Sequence, residues 1–472
     1  MRLIISIIFF SVTQYSLAQV QFFEKKFGTA LQDIARSVVQ LPSGSIFMLG
    51  HSASGNIGNT DISLVKLDKY GMELGTEYYG DNNLNFGYSI SKCIDGNFII
   101  VGDAVISPID SDVLIYKIDT LGNVLWNHTF STPFIESCKY ITQTLDGGFI
   151  SVGLQSDSVG SNNSFVLKLD ANGAYQWHKS IGGNSNDYAS MIVQLPSGNY
   201  ILTADTDSHG AGAIDIELTK LDINGNIIWQ QTYGDALNNG CQGLYLTSDF
   251  YLMSYGETEI FPASPFDMYL EKIDTNGISV WKKYYGNPTT TDACFSIVET
   301  STGGFMLTGY SNSMNNGQPI DLAIVQTDAF GNQIWARAYG DTGVDIGFQI
   351  IKSINGGFII VGKYYNVTNS DDDYYLLHVD ELFGGLSSIV ENEKEEFTLF
   401  PNPSTNKFYL HFQKNEKIEY ISIYSLTGQQ LFFLNHNDYS SFIELNTNLS
   451  EGFYLLEIKI ENQLFRKKIA IN

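Results

Sequence analysis

The chain has 472 residues, of which 43% are hydrophobic and 13% aromatic, so it can bury a sizeable core. Charged residues make up only 16%, against roughly 25% in average globular proteins, and 26 Lys+Arg face 51 Asp+Glu for a formal charge of -25. A surface of that sign repels phosphate backbones and anionic membranes, which excludes nucleic acid as a partner class.

Met1-Arg2-Leu3, the apolar run Ile4 to Phe10 and the small-residue site Ser16-Leu17-Ala18 have the charge, greasy stretch and cleavage site of a secretory signal. Residues 1–18 are therefore expected to be removed on export. No later stretch reaches the about 18 apolar residues of a membrane span, so no transmembrane span is expected. Cys93, Cys138, Cys241 and Cys294 show no CxxC spacing and no His partners for zinc. Their pairing, if they pair at all, is not set by the sequence.

A segment of the form Gly-Gly-Phe-Ile-Ile-Val-Gly then recurs. Aligned on its first large apolar residue, it begins at Ile46, Phe98, Phe149, Tyr200, Tyr251, Phe305 and Phe358, spaced 51 to 54 residues apart. Each is followed by Asp-x-x-Leu-x-Lys-Leu-Asp-x-x-Gly. Four residues beyond the turn glycine stand Trp126, Trp177, Trp229, Trp281 and Trp335, all five tryptophans of the chain. An aromatic or Ile, mostly before Gly, closes each unit. Four alternating segments per unit, separated by Gly, Asn and Asp turns, predict four strands in a meander and no helix. Such sheets repeated four to eight times describe a β-propeller.

The ends of the array carry a register argument. The last unit has its third strand and turn, Asp373 to Gly384, but no tryptophan strand, whereas Val20 to Gly28 matches that strand with Phe23 at the tryptophan position. The expectation is an all-β chain: a seven-bladed propeller over 20–385, closed by the N-terminal strand so that no sheet edge stays open. The repeat resembles those of secreted bacterial propellers with Gly-Gly-Phe and Leu-Asp-x-x-Gly-Asn-x-x-Trp signatures, and more distantly the tryptophan-docking repeats of quinoprotein dehydrogenases. That resemblance implies architecture, not activity.

Residues 386–396 read as a solvated linker, with Ser387-Ser388 and a Glu391 to Glu396 charge run. Alternating segments around Phe408 to Phe412, Ile421 to Ser425, Gly452 to Ile460 and Phe465 to Ile471 predict a small β-sandwich over 397–472. Its Pro401-Asn402-Pro403 opening, the Leu426-Thr427-Gly428 turn, Gly452-Phe453-Tyr454 and the basic end at Lys467 and Lys468 resemble the type A C-terminal sorting domain of type IX secretion cargo. The resemblance implies export through the type IX machinery, its partner, followed by release or display on the outer cell surface.

Candidate chemistry is sparse. His378 sits where Lys66, Lys117, Lys168, Lys220 and Lys272 sit in other copies, so a strand role is expected of it. The other histidines have no metal-like spacing, and no Gly-x-Ser-x-Gly elbow or phosphate loop occurs. Two residues before a small residue that opens each first strand stand Asp33, Asn85, Glu136, Asp187, Asn238, Asp292 and Asp345. They form either a ring at the mouth of the axial channel, able to hold a cation or sugar, or caps for loop amides. The third strands open with Asp61, Asp112, Asp215, Asp267, Asp321 and Asp373, to which the same two readings apply. Asp205 and Asp207 mimic the opening of a calcium loop, with Ile216 where the closing Glu belongs. Asp371, Asp372 and Asp373 form a second place for calcium, the candidate cofactor. Variable loops on one face are where binding is expected. The function expected is a secreted or surface-displayed binding or adhesion module for a polysaccharide or surface protein. The alternative is an extracellular polysaccharide lyase or hydrolase using the channel-mouth carboxylates.

Overall fold

The computed structural model describes residues 22–381 except 56, 58, 157–159, 262–264, 315–319 and 342, and residues 397–471 except 401–403, 405, 426–429, 451 and 461–462. The expected signal, the linker, Pro401, Asn402, Pro403 and Gly428 lie outside the described residues. All described regular structure is β-strand.

Residues 23–379 form seven four-stranded antiparallel sheets, an arrangement consistent with a propeller. Sheets 1 to 6 are sequential meanders over 33–79, 84–130, 136–181, 187–233, 239–285 and 292–339. Sheet 7 takes three strands from 346–379, and its fourth is Phe23–Phe27, which pairs antiparallel with Asp371–Val379. Seven apolar clusters are each shared by two neighbouring sheets. One of them joins sheet 7 to sheet 1 through Phe23, Val361 and Leu376 on one side and Ala35, Met48 and Val65 on the other.

Phe23 holds the tryptophan position in detail. It lies opposite His378 as Trp126 lies opposite Lys117 and Trp177 opposite Lys168. The tryptophan of one sheet packs over the turn glycine of the next: a Cβ on Gly173 would fall 2.7 Å from Trp126, and one on Gly71 would fall 2.6 Å from Phe23. These glycines have φ of +83° and +75°, so the turn and the packing both require Gly there. His378 is buried, edge-on to Phe23 at 5.3 Å, with Nε2 2.8 Å from the Gly356 carbonyl.

The tail corrects the expected sandwich. It is a single five-stranded sheet in which one long strand, Lys407–Ser425, serves both halves. The first half of that strand pairs with Phe397–Phe400 and the second with Gly452–Ile460, while Gln430–Asn446 runs along its other edge. Register shifts bend it, so Phe397 and Phe412 share one core with Ile458 and Ile469. The strand at 430–446 escaped the sequence reading because Asn435-His436-Asn437-Asp438 breaks its alternation, and Asn437 has φ of +45°.

Candidate functional site

The seven residues proposed as a channel-mouth ring were expected at one register position. The pairing places Asp33, Asn85, Glu136, Asp187 and Asp292 there, and Asp345, just before its strand, keeps the same offset from Gly347, but in sheet 5 the equivalent is Asn239, opposite Thr258, and not Asn238. The Gly240-Cys241 dipeptide offers two small residues, and Cys241, facing Gly256, takes the position of Ala35 and Cys138.

The side chains at this position are 0–3% exposed and turn into the loop that precedes them. Thr29 N–H donates to Asp33 at 2.7 Å, Thr132 N–H to Glu136 at 3.0 Å, Gly183 N–H to Asp187 at 2.9 Å and Asp341 N–H to Asp345 at 3.0 Å. Asn287 N–H reaches Asp292 at 3.3 Å, and the amides of Asn85 and Asn239 donate to the Asn83 and Leu237 carbonyls. Each therefore caps a loop between sheets. None borders the cavity described below.

The third-strand aspartates lie against these caps across the junctions. Over Gly286, the space of a Cβ is bounded by Asp292 Oδ2 at 2.4 Å and Asp267 Oδ1 at 2.6 Å; over Gly340, by Asp321 at 2.3 Å and Asp345 at 2.4 Å. Burial, with the neighbouring Asp292, pushes the Asp267 carboxyl up to about 6, and burial with Asp345 does the same for Asp321. At two other junctions one carboxylate is replaced by an amide: Asn163 meets Asp187 over Gly182, and Asp215 meets Asn239 over Gly234.

The residues proposed for calcium do not converge. Asp207 holds the Asn186 amide at a loop, while Asp205 is half-buried and accepts from Cys241 N–H at 2.6 Å. Asp372 pairs with Lys363 at 2.9 Å, and Asp373 accepts from the Tyr364 hydroxyl and the Asn366 amide. Asp371 lies opposite Asn366. No group of three potential metal ligands occurs among the described residues. The four cysteines are free and buried, and burial pushes Cys93 up to about 11 and Cys138 up to about 12, which leaves these thiols unreactive.

A feature the sequence reading missed lies one residue past the small position. Every first strand has a β-bulge there, with Arg36, Tyr88, Lys139, Ser190, Gln242, Phe295 and Phe348 as the residues left out of register. The partner strand explains the bulge. Six of the seven residues opposite the small position are glycines, and a Cβ on Gly50, Gly153 or Gly362 would fall 1.8 Å from the carbonyl oxygen of the residue before the small one. Backbone crosses backbone at that point, and the extra residue is turned aside, as bulges do near sites. All seven bulged residues border one cavity of about 560 Å³. The only signal in the sequence is that this column does not repeat.

The cavity has a basic, aromatic side and an acidic side. The Arg36 guanidinium stacks on Phe348 at 4.1 Å, and Lys139 Nζ lies 3.4 Å from the centre of the Tyr88 ring. Asp103 faces Lys139 at 3.5 Å and accepts from Ser137 Oγ at 2.5 Å. Burial, together with the charges of Arg36 and Lys139, holds His51 neutral down to about 3. On the other side burial pushes Asp205 up to about 7, with Glu257 adding to the shift, and Glu257 is itself raised by burial.

In the tail, the Tyr454 hydroxyl donates to the Ser450 carbonyl at 2.7 Å, and Gly452, Lys467 and Lys468 lie on the last two paired strands. Residues 398–472 match the family described as the secretion system C-terminal sorting domain. The chain is a type IX secretion cargo. The cargo is delivered to the outer cell surface or the extracellular space.

No curated protein matches the chain. Among solved structures, the extracellular domain assigned to a one-component system of B. thetaiotaomicron is 13% identical, with a TM-score of 0.42, covering 96% of this chain and 58% of its own. Puromycin hydrolase is 10% identical with a TM-score of 0.49, covering 80% and 58%. PorZ, a surface component of the type IX system of Porphyromonas gingivalis, is 10% identical with a TM-score of 0.35, covering 91% and 68%. The cargo thus spans 58% of the length of the first two. Likenesses at this level carry no argument about its activity.

Proposed function

We propose that this cargo is a surface or extracellular binding protein: a seven-bladed propeller closed by its N-terminal strand, with the ligand seated in the axial cavity. The domain plan is a cleaved signal over 1–18, the propeller over 20–385, a linker over 386–396 and the sorting tail from 397. Closure is supported by the pairing of Phe23–Phe27 with the last strand and by the apolar cluster between sheets 7 and 1.

The observation that carries the binding assignment is the non-repeating cavity lining. The seven bulge residues that border the cavity offer two cations, three aromatics and two neutral polar side chains. A polysaccharide end or a surface protein loop is the partner that suits such a pocket. The lyase or hydrolase reading loses its carboxylates, since the side chains meant to act at the channel mouth are held by loop amides.

The test is a glycan and surface-protein array probed with the exported chain, followed by turnover assays on each hit. Binding that Ser190→Trp abolishes by filling the cavity, without turnover, is the expected result. Turnover of a hit, or binding indifferent to Ser190→Trp, would sink the assignment.

A further inference from the structure

The binding assignment leaves the chemistry of the ligand open, and the charges around the cavity narrow it. Two cations, Arg36 and Lys139, border its basic side. Lys139 has Asp103 at 3.5 Å, and Lys363 has Asp372 at 2.9 Å. Arg36 has no ion pair among the described residues, and its buried Nε has no hydrogen-bond partner. Asp372, whose charge also reaches Arg36, is ion-paired with Lys363, so with His51 neutral the guanidinium has no carboxylate of its own, inside a chain whose net charge is -25. The Phe348 face offsets only part of what an unpaired, half-buried guanidinium costs.

A second orphan lies three sheets away. Ser190 Oγ, on the bulge of sheet 4, is buried without a partner. The same lining holds Asp205, opposite Tyr188 on the neighbouring strand; the raised Asp205 carboxyl spends part of its time protonated and can then donate as well as accept. The rings of Tyr88, Phe295 and Phe348 belong to the same lining.

Resting on the assignment of the cavity as the binding site, we propose that it takes a hydroxylated carboxylate, the chemistry of a uronic acid unit. The Arg36 fork takes the carboxylate in a bidentate pair, a geometry its five fixed donors suit. Lys139 lends its charge from the neighbouring side. Hydroxyl groups at the far end meet Ser190 Oγ and Asp205, and the apolar face of the sugar ring lies on the aromatics. The same chemistry is offered by a free sugar acid and by the end of an acidic polysaccharide.

Calorimetric titration of the full exported chain with glucuronate, glucose, acetate and a trimeric uronate tests this. Glucuronate or the trimer is expected to bind at least tenfold more tightly than glucose and acetate. Arg36→Met should weaken that binding tenfold or more while leaving the melting temperature unchanged or higher. Arg36→Lys, which keeps the charge but loses the fork, should restore only part of it. A preference for the trimer assigns the polysaccharide end as the source, and a preference for the monomer assigns the free acid. Glucose binding as well as glucuronate, no binding by either acid, or an unchanged affinity in Arg36→Met would overturn the proposal. A screening hit that Ser190→Trp still abolishes would in that case leave the cavity as the binding site for a neutral ligand.

Discussion

On each of the seven first strands a cap residue and a bulge residue stand three apart: Asp33 and Arg36, Glu136 and Lys139, Asp187 and Ser190, Asp345 and Phe348. Around the set the two columns behave differently. The cap column holds only Asp, Asn and Glu, because each copy must satisfy backbone groups of the same loop, N–H groups where the cap is Asp or Glu and carbonyls where it is Asn. The bulge column is more varied: its side chains turn into the cavity, where they meet one another, as Arg36 meets Phe348 and Lys139 meets Tyr88, and serve no shared loop. Repetition along this chain marks structural duty, and its loss marks freedom to recognise something.

That contrast can be broken most forcefully where the bulge is made. Gly50→Val puts a Cβ against the Ile34 carbonyl, so the variant is expected to lose about 3 kcal/mol or more of stability in urea unfolding. A near-neutral result would mean that the bulges do not depend on the facing glycines. Next in size, Asp187→Ala leaves the Gly183 amide and Ser208 hydroxyl without their acceptor and should cost about 2 kcal/mol. Ser190→Ala, three residues on, should stay within about 0.5 kcal/mol. Equal losses at the two positions would erase the distinction between the columns.

A comparable effect of opposite sign is expected at the junction of sheets 5 and 6. Burial beside Asp292 raises Asp267 to about 6 in the folded chain, so its ionisation opposes folding. The penalty is absent below about pH 3, grows as the pH rises through 6, and is fully present at 7.5. Asp267→Asn, which reproduces the amide found at other junctions, should therefore stabilise by about 1–2 kcal/mol at pH 7.5 and by close to nothing at pH 3. Thermal melts at the two pH values check this, and an equal gain at both would rule out the proton as its cause. The smallest effect is Phe23→Trp, which restores the repeat residue in sheet 7 and should raise stability by less than about 1 kcal/mol.

Much of the strand plan was legible because alternation and turn glycines repeat, and because a missing strand at one end matched a spare strand at the other. The cap position was also visible as a column, apart from the one-residue slip at Gly240-Cys241. The cavity lining was not. A bulge arises where two backbones cross, and Arg36 or Tyr88 looks from the sequence like any solvent-facing residue on an alternating strand. In the tail, the strand Lys407–Ser425 looked like two because polar residues interrupt it, and reading it as two made one bent sheet look like a pair of stacked ones.

The partnership of the first strand with the last has a consequence for biogenesis. Glu24 and Tyr375, which share a hydrogen bond, are 351 residues apart, and bringing such ends together costs about 5 kcal/mol of chain entropy. Phe23–Phe27 has no place in its sheet until Asp371–Val379, which follows all six other sheets in the chain, is present. A chain cut short anywhere before residue 371 lacks the strand that receives it and keeps open edges for proteases and chaperones to find. The last sheet thus acts as a completeness check, one that a truncated product fails.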